Sequence, residues 1–449
     1  MSIDQYSTTP SSNDLTNYFK TGMRPSQVKD AGWDIMADLA SYEVSLPAAA
    51  GSANALTVAN GRPFGALAQG LLQILNPTAA NSGPATFAPD GLTAANIYAN
   101  GAALAGGEMQ ANVPAFLKYD GTQWNLLNPA QPGRNSLVDP CCRVAQGLAA
   151  TLSTARQYGA VDLVQCWAAG TAVSAGSIAQ DTVYTNAGAA TVYSCKLSGC
   201  TITGTGKVFF RRWIESRDAI ALKNRTALFS VLGYQDTSSN INAFLTINKP
   251  TAQDNFASVT NIGTGAVVSV APNTTTAITA ALSMGDCSNG IEIILEMDCG
   301  AVTTKDFYAT DWQACINTLP QVCLVPRFED DLAATMRYFE KSWDYGTAIG
   351  ATGFVGQRTA HLVASSANGN GITELDVYYK VQKISPATVI IYSEATGASG
   401  KIRDVSTGID FSSSALVNGA NGFEPSNGSG GTLAVGDILR MHWTADARQ

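Results

Sequence analysis

Few residues in this chain have the type and spacing that catalysis or metal binding demands. Glu296 and Asp298 stand two apart in the run Ile291 to Asp298. A strand there would put both carboxylates on one face, as a glycosidase places its acid and base. Partly solvated surface carboxylates account for the same two residues, so no catalytic residue is assigned. The two histidines, His361 and His442, leave little material for Ser-His or Cys-His chemistry, and both are read as structural or hydrogen-bonded. Nine cysteines lie between residues 141 and 323, but Cys195-x4-Cys200 has no matching second pair and no Cys2His2 spacing exists. They read as buried reduced thiols that pack like small apolar residues. No metal site and no cofactor is expected, and no Gly-x-Ser-x-Gly elbow, phosphate loop or His-Glu-x-x-His is present.

The elements that would position such residues are short strands. In 449 residues, 45% are hydrophobic, only 14% are charged and 42 are glycine, a balance that suits extended segments and tight turns better than long solvated helices. The net charge of −8 argues against a nucleic-acid partner, which needs a basic surface. No run reaches the ~18 apolar residues of a membrane-spanning helix, and the N-terminus lacks the pattern of a secretory signal. Folding in a cytoplasm and no membrane insertion are expected.

Four regions follow along the chain. Residues 1–45 read as a polar extended arm with Pro10, then a short helix carrying Trp33, Ile35 and Met36. Residues 46–133 are Ala/Gly-rich, with turn dipeptides at Asn60-Gly61, Asp90-Gly91 and Asn100-Gly101. Their clearest hairpin joins Ala115–Tyr119 to Thr122–Leu127 through a two-residue Asp120-Gly121 loop, with Trp124 facing the core. Residues 134–345 read as an antiparallel, jelly-roll-like β-sandwich, with Ile291 to Met297 as a strand buried between two layers. A helix over 329–343, acidic at its start, packs on it through Leu332, Met336, Phe339 and Trp343. Residues 346–449 are a C-terminal β region, with strands at 360–364, 374–383 and 387–392 and a Gly/Asn/Ser-rich loop at 418–431. It either stands alone or completes the sandwich. The fold class is thus mainly β.

Several short stretches resemble the tail fibre and receptor-binding proteins of tailed bacteriophages. Tyr6-Ser7-Thr8-Thr9-Pro10 and Asp34-Ile35-Met36-Ala37-Asp38 are similar to the segment that anchors such fibres to the virion. Phe116 to Pro129 resembles the hairpin that follows in those proteins. Arg337-Tyr338-Phe339-Glu340-Lys341 is similar to a segment that follows their carbohydrate-binding-like sandwich, and Trp443 to Ala447 resembles their ending. No fixed-period repeat matches the long parallel β-helix of polysaccharide-cutting tailspikes. The resemblance implies a non-enzymatic virion tail protein, assembled in the host cytoplasm as a homotrimer. It implies other virion tail proteins as partners through Tyr6, Pro10, Trp33, Ile35 and Met36, and a host surface glycan or protein receptor. A scarcity of large apolar side chains in 46–119 also favours burial between copies.

Two alternatives are a tailspike glycan hydrolase using a carboxylate pair, and a head fibre or capsid decoration protein. Sugars present apolar C–H faces to aromatic rings and hydroxyls to amides and carboxylates. Trp312, between Asp311 and Gln313, and Tyr345, beside Asp344, are the glycan-binding candidates, with ordinary packing as the competing explanation. A short helix after a polar arm is marginal alone, so deleting residues 1–45 should leave a folded, soluble protein that no longer enters particles. Normal incorporation of the truncated chain, read by gel analysis of purified virions, refutes the anchoring role.

Overall fold

A computed structural model of the chain describes residues 24, 48–60, 63–104, 106–130, 135–184, 189–316, 325–364, 372–373, 376–417, 419–427 and 434–448. The expected arm and helix, with Tyr6, Pro10, Trp33, Ile35 and Met36, lie outside the described residues. The chain divides into two compact units, one up to Gly133 and one from Arg134 onward.

The first unit is a mixed sheet in which the strand Ala55–Val58 runs parallel to Ala85–Pro89, and Ala95–Ala99 parallel to Trp124–Leu126. Its turn chemistry follows the sequence where glycine supplies a positive φ. Asn100 (φ 52°) and Gly101 (φ 83°) close the hairpin between Ala95–Ala99 and Ala102–Ala103. The Ala115–Tyr119 hairpin forms with Tyr119 opposite Trp124, but its loop has four residues, not two. The Asp120 carboxylate accepts the amides of Thr122 and Gln123 (both 2.9 Å), which makes those residues part of the turn. The segment also has a core of its own. Leu56, Leu75, Phe87, Ile97, Leu117 and Trp124 are all buried, and Phe87 meets Trp124 edge-on at 5.1 Å. A shortage of large apolar residues therefore does not argue for burial between copies.

The second unit begins with the antiparallel sandwich. One sheet, the amide sheet below, runs in the order Gln157–Tyr158, Gln165–Ala169, Lys207–Ile214, Ile291–Asp298, Ile241–Ala252, Asn255–Thr264. The facing sheet runs Thr276–Ser283, Thr226–Gln235, Val302–Cys315, Ser194–Thr203, Ala172–Asp181, Ala150–Thr151. Between them Phe210, Phe229, Leu245, Leu295, Phe307 and Trp312 form one core. The strand Ile291–Asp298 is not covered on both sides. Ile291, Ile293, Leu295 and Met297 point into the core, while Glu292, Ile294, Glu296 and Asp298 alternate onto the outer face, the period-2 pattern of a strand with one face on the core. Of the eight described cysteines none is disulfide-bonded, and all but Cys299 are buried.

The expected helix is shorter than 329–343. It spans Phe328–Met336, and Phe339–Lys341 is instead a strand paired with Asp446 to Thr444. The buried helix positions are Asp331 and Thr335, not Leu332 and Met336. Asp331 faces inward because Arg143 meets its carboxylate at 2.6 Å, so a residue read as a dipole-facing acid is an internal ion-pair partner. The strands beyond form a third sheet centred on Ile438–Asp446, which pairs with Phe339–Lys341, Arg358–Ala364, Thr388–Ser393 and Lys401–Asp404. Within the expected strand 374–383 only Val377–Tyr378 is a strand among the described residues, with Ile372–Thr373 a separate short strand before it. Lys383 turns inward there, giving its ammonium to Glu340 and to the carbonyl of Met336 (both 2.6 Å) at the helix end.

Glu340 and Lys383 have fully buried side chains, and removing one partner strands the other charge. Lys383→Ala is expected to cost about 3–5 kcal/mol of unfolding free energy, measured by denaturant titration. A loss below about 1 kcal/mol would mean that water reaches Glu340.

Candidate functional site

The two aromatics singled out in the sequence are both engaged in packing. Trp312 is 0% exposed; its ring lies in the sandwich core under the Arg212 guanidinium, 6.0 Å away. Tyr345 is half-buried. Its hydroxyl donates to the carbonyl of Arg143 (2.8 Å) and accepts the amide of Ala145 (3.0 Å), and its ring meets Phe328 edge-on at 5.0 Å. It latches the 143–145 loop to the start of the helix. Burial in the core removes Trp312 from contact with a sugar, and hydrogen bonds and ring packing engage Tyr345.

The histidines are also engaged in structure. His442 accepts from or donates to Ser342 Oγ through Nδ1 and meets the carbonyl oxygen of Gly353 through Nε2, both at 2.9 Å, and it stacks on Trp343 at 4.3 Å. Burial lowers its pKa. The Ser342 hydroxyl also accepts the amide of Trp443, and the imidazole is oriented by a backbone carbonyl, not a carboxylate, so the pair braces two strands. His361 is exposed on the strand Arg358–Ala364.

The outer face of the amide sheet gathers what the sequence left scattered. Strand register sets Trp167 opposite Phe209, Phe209 opposite Glu296, and Glu296 opposite Phe244. Trp167, Phe209 and Phe244 are half-buried on a face that antiparallel sheets ordinarily fill with polar residues. Trp167 and Phe209 stack at 4.7 Å with rings 5° apart, and Arg156, 45% exposed at its side chain, lies 4.8 Å from the Trp167 ring. The suspected carboxylate pair is in this row. Glu296 and Asp298 both bind the Lys207 ammonium, Asp298 at 3.0 Å, and these contacts raise the Lys207 pKa.

A buried network underlies one end of this face. Glu292, 0% exposed, takes Arg211 Nε at 2.5 Å and Asn248 Nδ2 at 2.6 Å; Arg211 also donates to Gln165 Oε1 at 2.7 Å. Four neighbouring strands each contribute one member. Trp213 and Phe256 close over Arg211, with ring centres 5.5 and 5.9 Å from its guanidinium carbon. No sequence motif marks this set, because its members come from positions 165, 211, 248 and 292. Its one legible signal is period-2 polarity within Ile291–Asp298.

No protein-family model matches the chain, and no curated protein matches it. Among solved structures, TmCBM61 in complex with β-1,4-galactotriose aligns at 9% identity and TM-score 0.25, covering 41% of this chain and 99% of that one. A C-terminal family 22 carbohydrate-binding module of Clostridium thermocellum Xyn10B aligns at 14% identity and TM-score 0.24, over 36% and 88%. The enzymatically active domain of bacteriophage CBA120 tailspike protein 4 aligns at 9% identity and TM-score 0.23, over 34% and 19%. Scores this low carry no argument about ligand or role.

Two buried carboxyls give the second unit a pH dependence. Burial pushes Asp139 up to about 7 and Asp162 up to about 6, against donors that pull the other way: Asp162 accepts Gln146 N and Nε2 at 2.8 Å and Gly147 N at 3.1 Å. A carboxyl raised in the folded state holds its proton longer than in the unfolded chain, so its stabilising contribution is complete below about pH 4 and is lost as pH rises through the folded value. His442, lowered by burial, acts in the opposite sense near its unfolded pKa of about 6.5. The test is therefore a difference between proteins. Asp162→Asn should lose less denaturant midpoint than the wild type between pH 5 and pH 7.5, and equal losses would show that Asp162 ionises freely.

Proposed function

We propose that this protein is a non-catalytic glycan-binding protein of a phage virion, a tail fibre that attaches the particle to the host surface. The observation that supports the binding role is the half-buried aromatic row Trp167, Phe209 and Phe244 on the outer face of the amide sheet, interleaved with Glu296, Asn242 and Lys207. Ring edges and faces take up the C–H surface of a sugar, and fixed amide and carboxylate oxygens take up its hydroxyls. The virion role is supported by the fibre-like stretches at both chain ends, with residues 1–45 as the anchor and a homotrimer as the assembly.

A second reading keeps one specific observation. Glu296 and Asp298 share that face, as a hydrolase working on a bound glycan would require. Lys207 engages both carboxylates, which favours the adhesive reading.

Host surface polysaccharide incubated with the full-length protein distinguishes these readings. The adhesive one expects retention on immobilised polysaccharide and no released oligosaccharide. Trp167→Ala with Phe244→Ala should weaken retention at least about tenfold, since a stacked ring contributes upward of 1 kcal/mol, with the circular dichroism spectrum unchanged. Released fragments that disappear in Glu296→Gln support the hydrolase instead. Unchanged retention in the double variant removes this face from binding.

A further inference from the structure

A cavity lies away from the sandwich, on the C-terminal sheet. It encloses about 250 Å³, and its wall includes Glu340, Ser342 and Trp443, with Asp344, Gln357, Arg358, Tyr378 and Lys380 around it. Part of that wall is already satisfied. Glu340 is held by Lys383 and by the amide of Lys380, and Ser342 by His442 and Trp443.

Of the remaining groups, Asp344 is an exposed carboxylate at the rim, and four others lack partners. Arg358 and Lys380 are exposed cations, and neither side chain makes an ion pair among the described residues. Gln357 Oε1 is a buried acceptor without a donor, and Trp443 Nε1, on a side chain only 2% exposed, is a buried donor without an acceptor. A buried polar atom without a partner is costly unless something fills the site. Beside them Tyr378, 68% exposed, presents its ring to solvent, with its hydroxyl 3.4 Å from Asp376 Oδ2.

A ligand that meets all of these needs carries an anionic oxygen group for the two cations, hydroxyls that both donate to Gln357 and accept from Trp443, and a C–H face for the Tyr378 ring. The volume falls just short of the ~300–1,000 Å³ of drug-sized sites, which limits the occupant to about one six-membered ring. We propose that this cavity binds a single carboxylate-bearing sugar residue. The site is separate from the aromatic face of the sandwich and would read one acidic unit of a surface glycan, not a stretch of chain.

Saturation-transfer NMR of the full-length protein with D-glucuronate, D-glucose and inorganic phosphate tests this. Glucuronate should bind at least about tenfold more tightly than either other probe, and Arg358→Gln with Lys380→Gln should abolish the difference between glucuronate and glucose, one charge-assisted contact corresponding to about a factor of ten. Tyr378→Ala should weaken glucuronate binding. Because Arg358, Lys380 and Tyr378 are all exposed, these variants should stay folded; thermal melting confirms it. Equal affinity for glucose and glucuronate removes the acidic preference, and phosphate binding as tight as glucuronate makes this a general anion site. No glucuronate signal, or a signal unchanged in the double variant, overturns the proposal, whatever the polysaccharide assay on the sandwich face gives.

Discussion

The buried Glu292–Arg211 ion pair ties the register of the sandwich strands to a single alignment. A carboxylate with no solvent exposure has to be met by donors on its full perimeter. Here Arg211, diagonal to it on one neighbouring strand, and Asn248, directly opposite on the other, supply them, while Gln165 takes the remaining guanidinium bond. The arrangement closes only in one strand register. A slip of one residue would turn Glu292 into the core and Ile291 outward. The same register brings Trp167, Phe209, Glu296 and Phe244 into one row, so the polar network and the candidate face are consequences of one alignment. Replacing such a pair by apolar residues is often neutral for stability, which makes register the more economical account of its presence.

Buried charge also joins the sandwich to the C-terminal sheet. Glu215, at the end of the Lys207–Ile214 strand, meets Arg337 at 2.8 and 2.9 Å and accepts the Tyr338 hydroxyl. These contacts hold its pKa down despite burial, which alone would raise it. Arg448, near the end of the chain, donates to the carbonyl of Asp162 and lies over the rings of Tyr158 and Phe339, 4.3 and 4.2 Å from their centres. Segment 328–345 is thus tied on both sides, and its helix stops at Met336 because Phe339–Lys341 has a more complete backbone partner in the strand Ile438–Asp446. Helical spacing of Leu332, Met336, Phe339 and Trp343 was a true periodicity with the wrong owner: Phe339 and Trp343 are buried by sheet packing.

A protein that binds through two such surfaces would treat charge differently on each. On the sandwich face Lys207 neutralises the outward carboxylates and leaves aromatic surface as the distinctive feature. In the cavity of the C-terminal sheet, the carboxylate of Glu340 is neutralised by Lys383, and Arg358 and Lys380 make no ion pair among the described residues, with Asp344 on the same wall. The negative net charge of the chain gives no hint of that local excess, because net charge sums over a surface while a ligand meets only a few residues of it.

The sequence by itself determined the local features: β-rich composition, the glycine-dependent turn at Asn100-Gly101, the inward run Ile291, Ile293, Leu295 and Met297, and the hairpin that buries Trp124. Each follows from side-chain periodicity or from a backbone conformation only certain residues adopt, and both are properties of a few consecutive residues. Tertiary structure alone decided that Trp312 and Tyr345 are packing residues and that Trp167, Phe209 and Phe244 share a solvent-facing row. It also decided that Lys383 faces inward to Glu340 and that Tyr378 shares a cavity wall with Arg358 and Lys380. Those outcomes depend on pairing between strands tens to hundreds of residues apart. Which side of a strand meets water is set by its partners' register, and no short stretch of sequence contains that information.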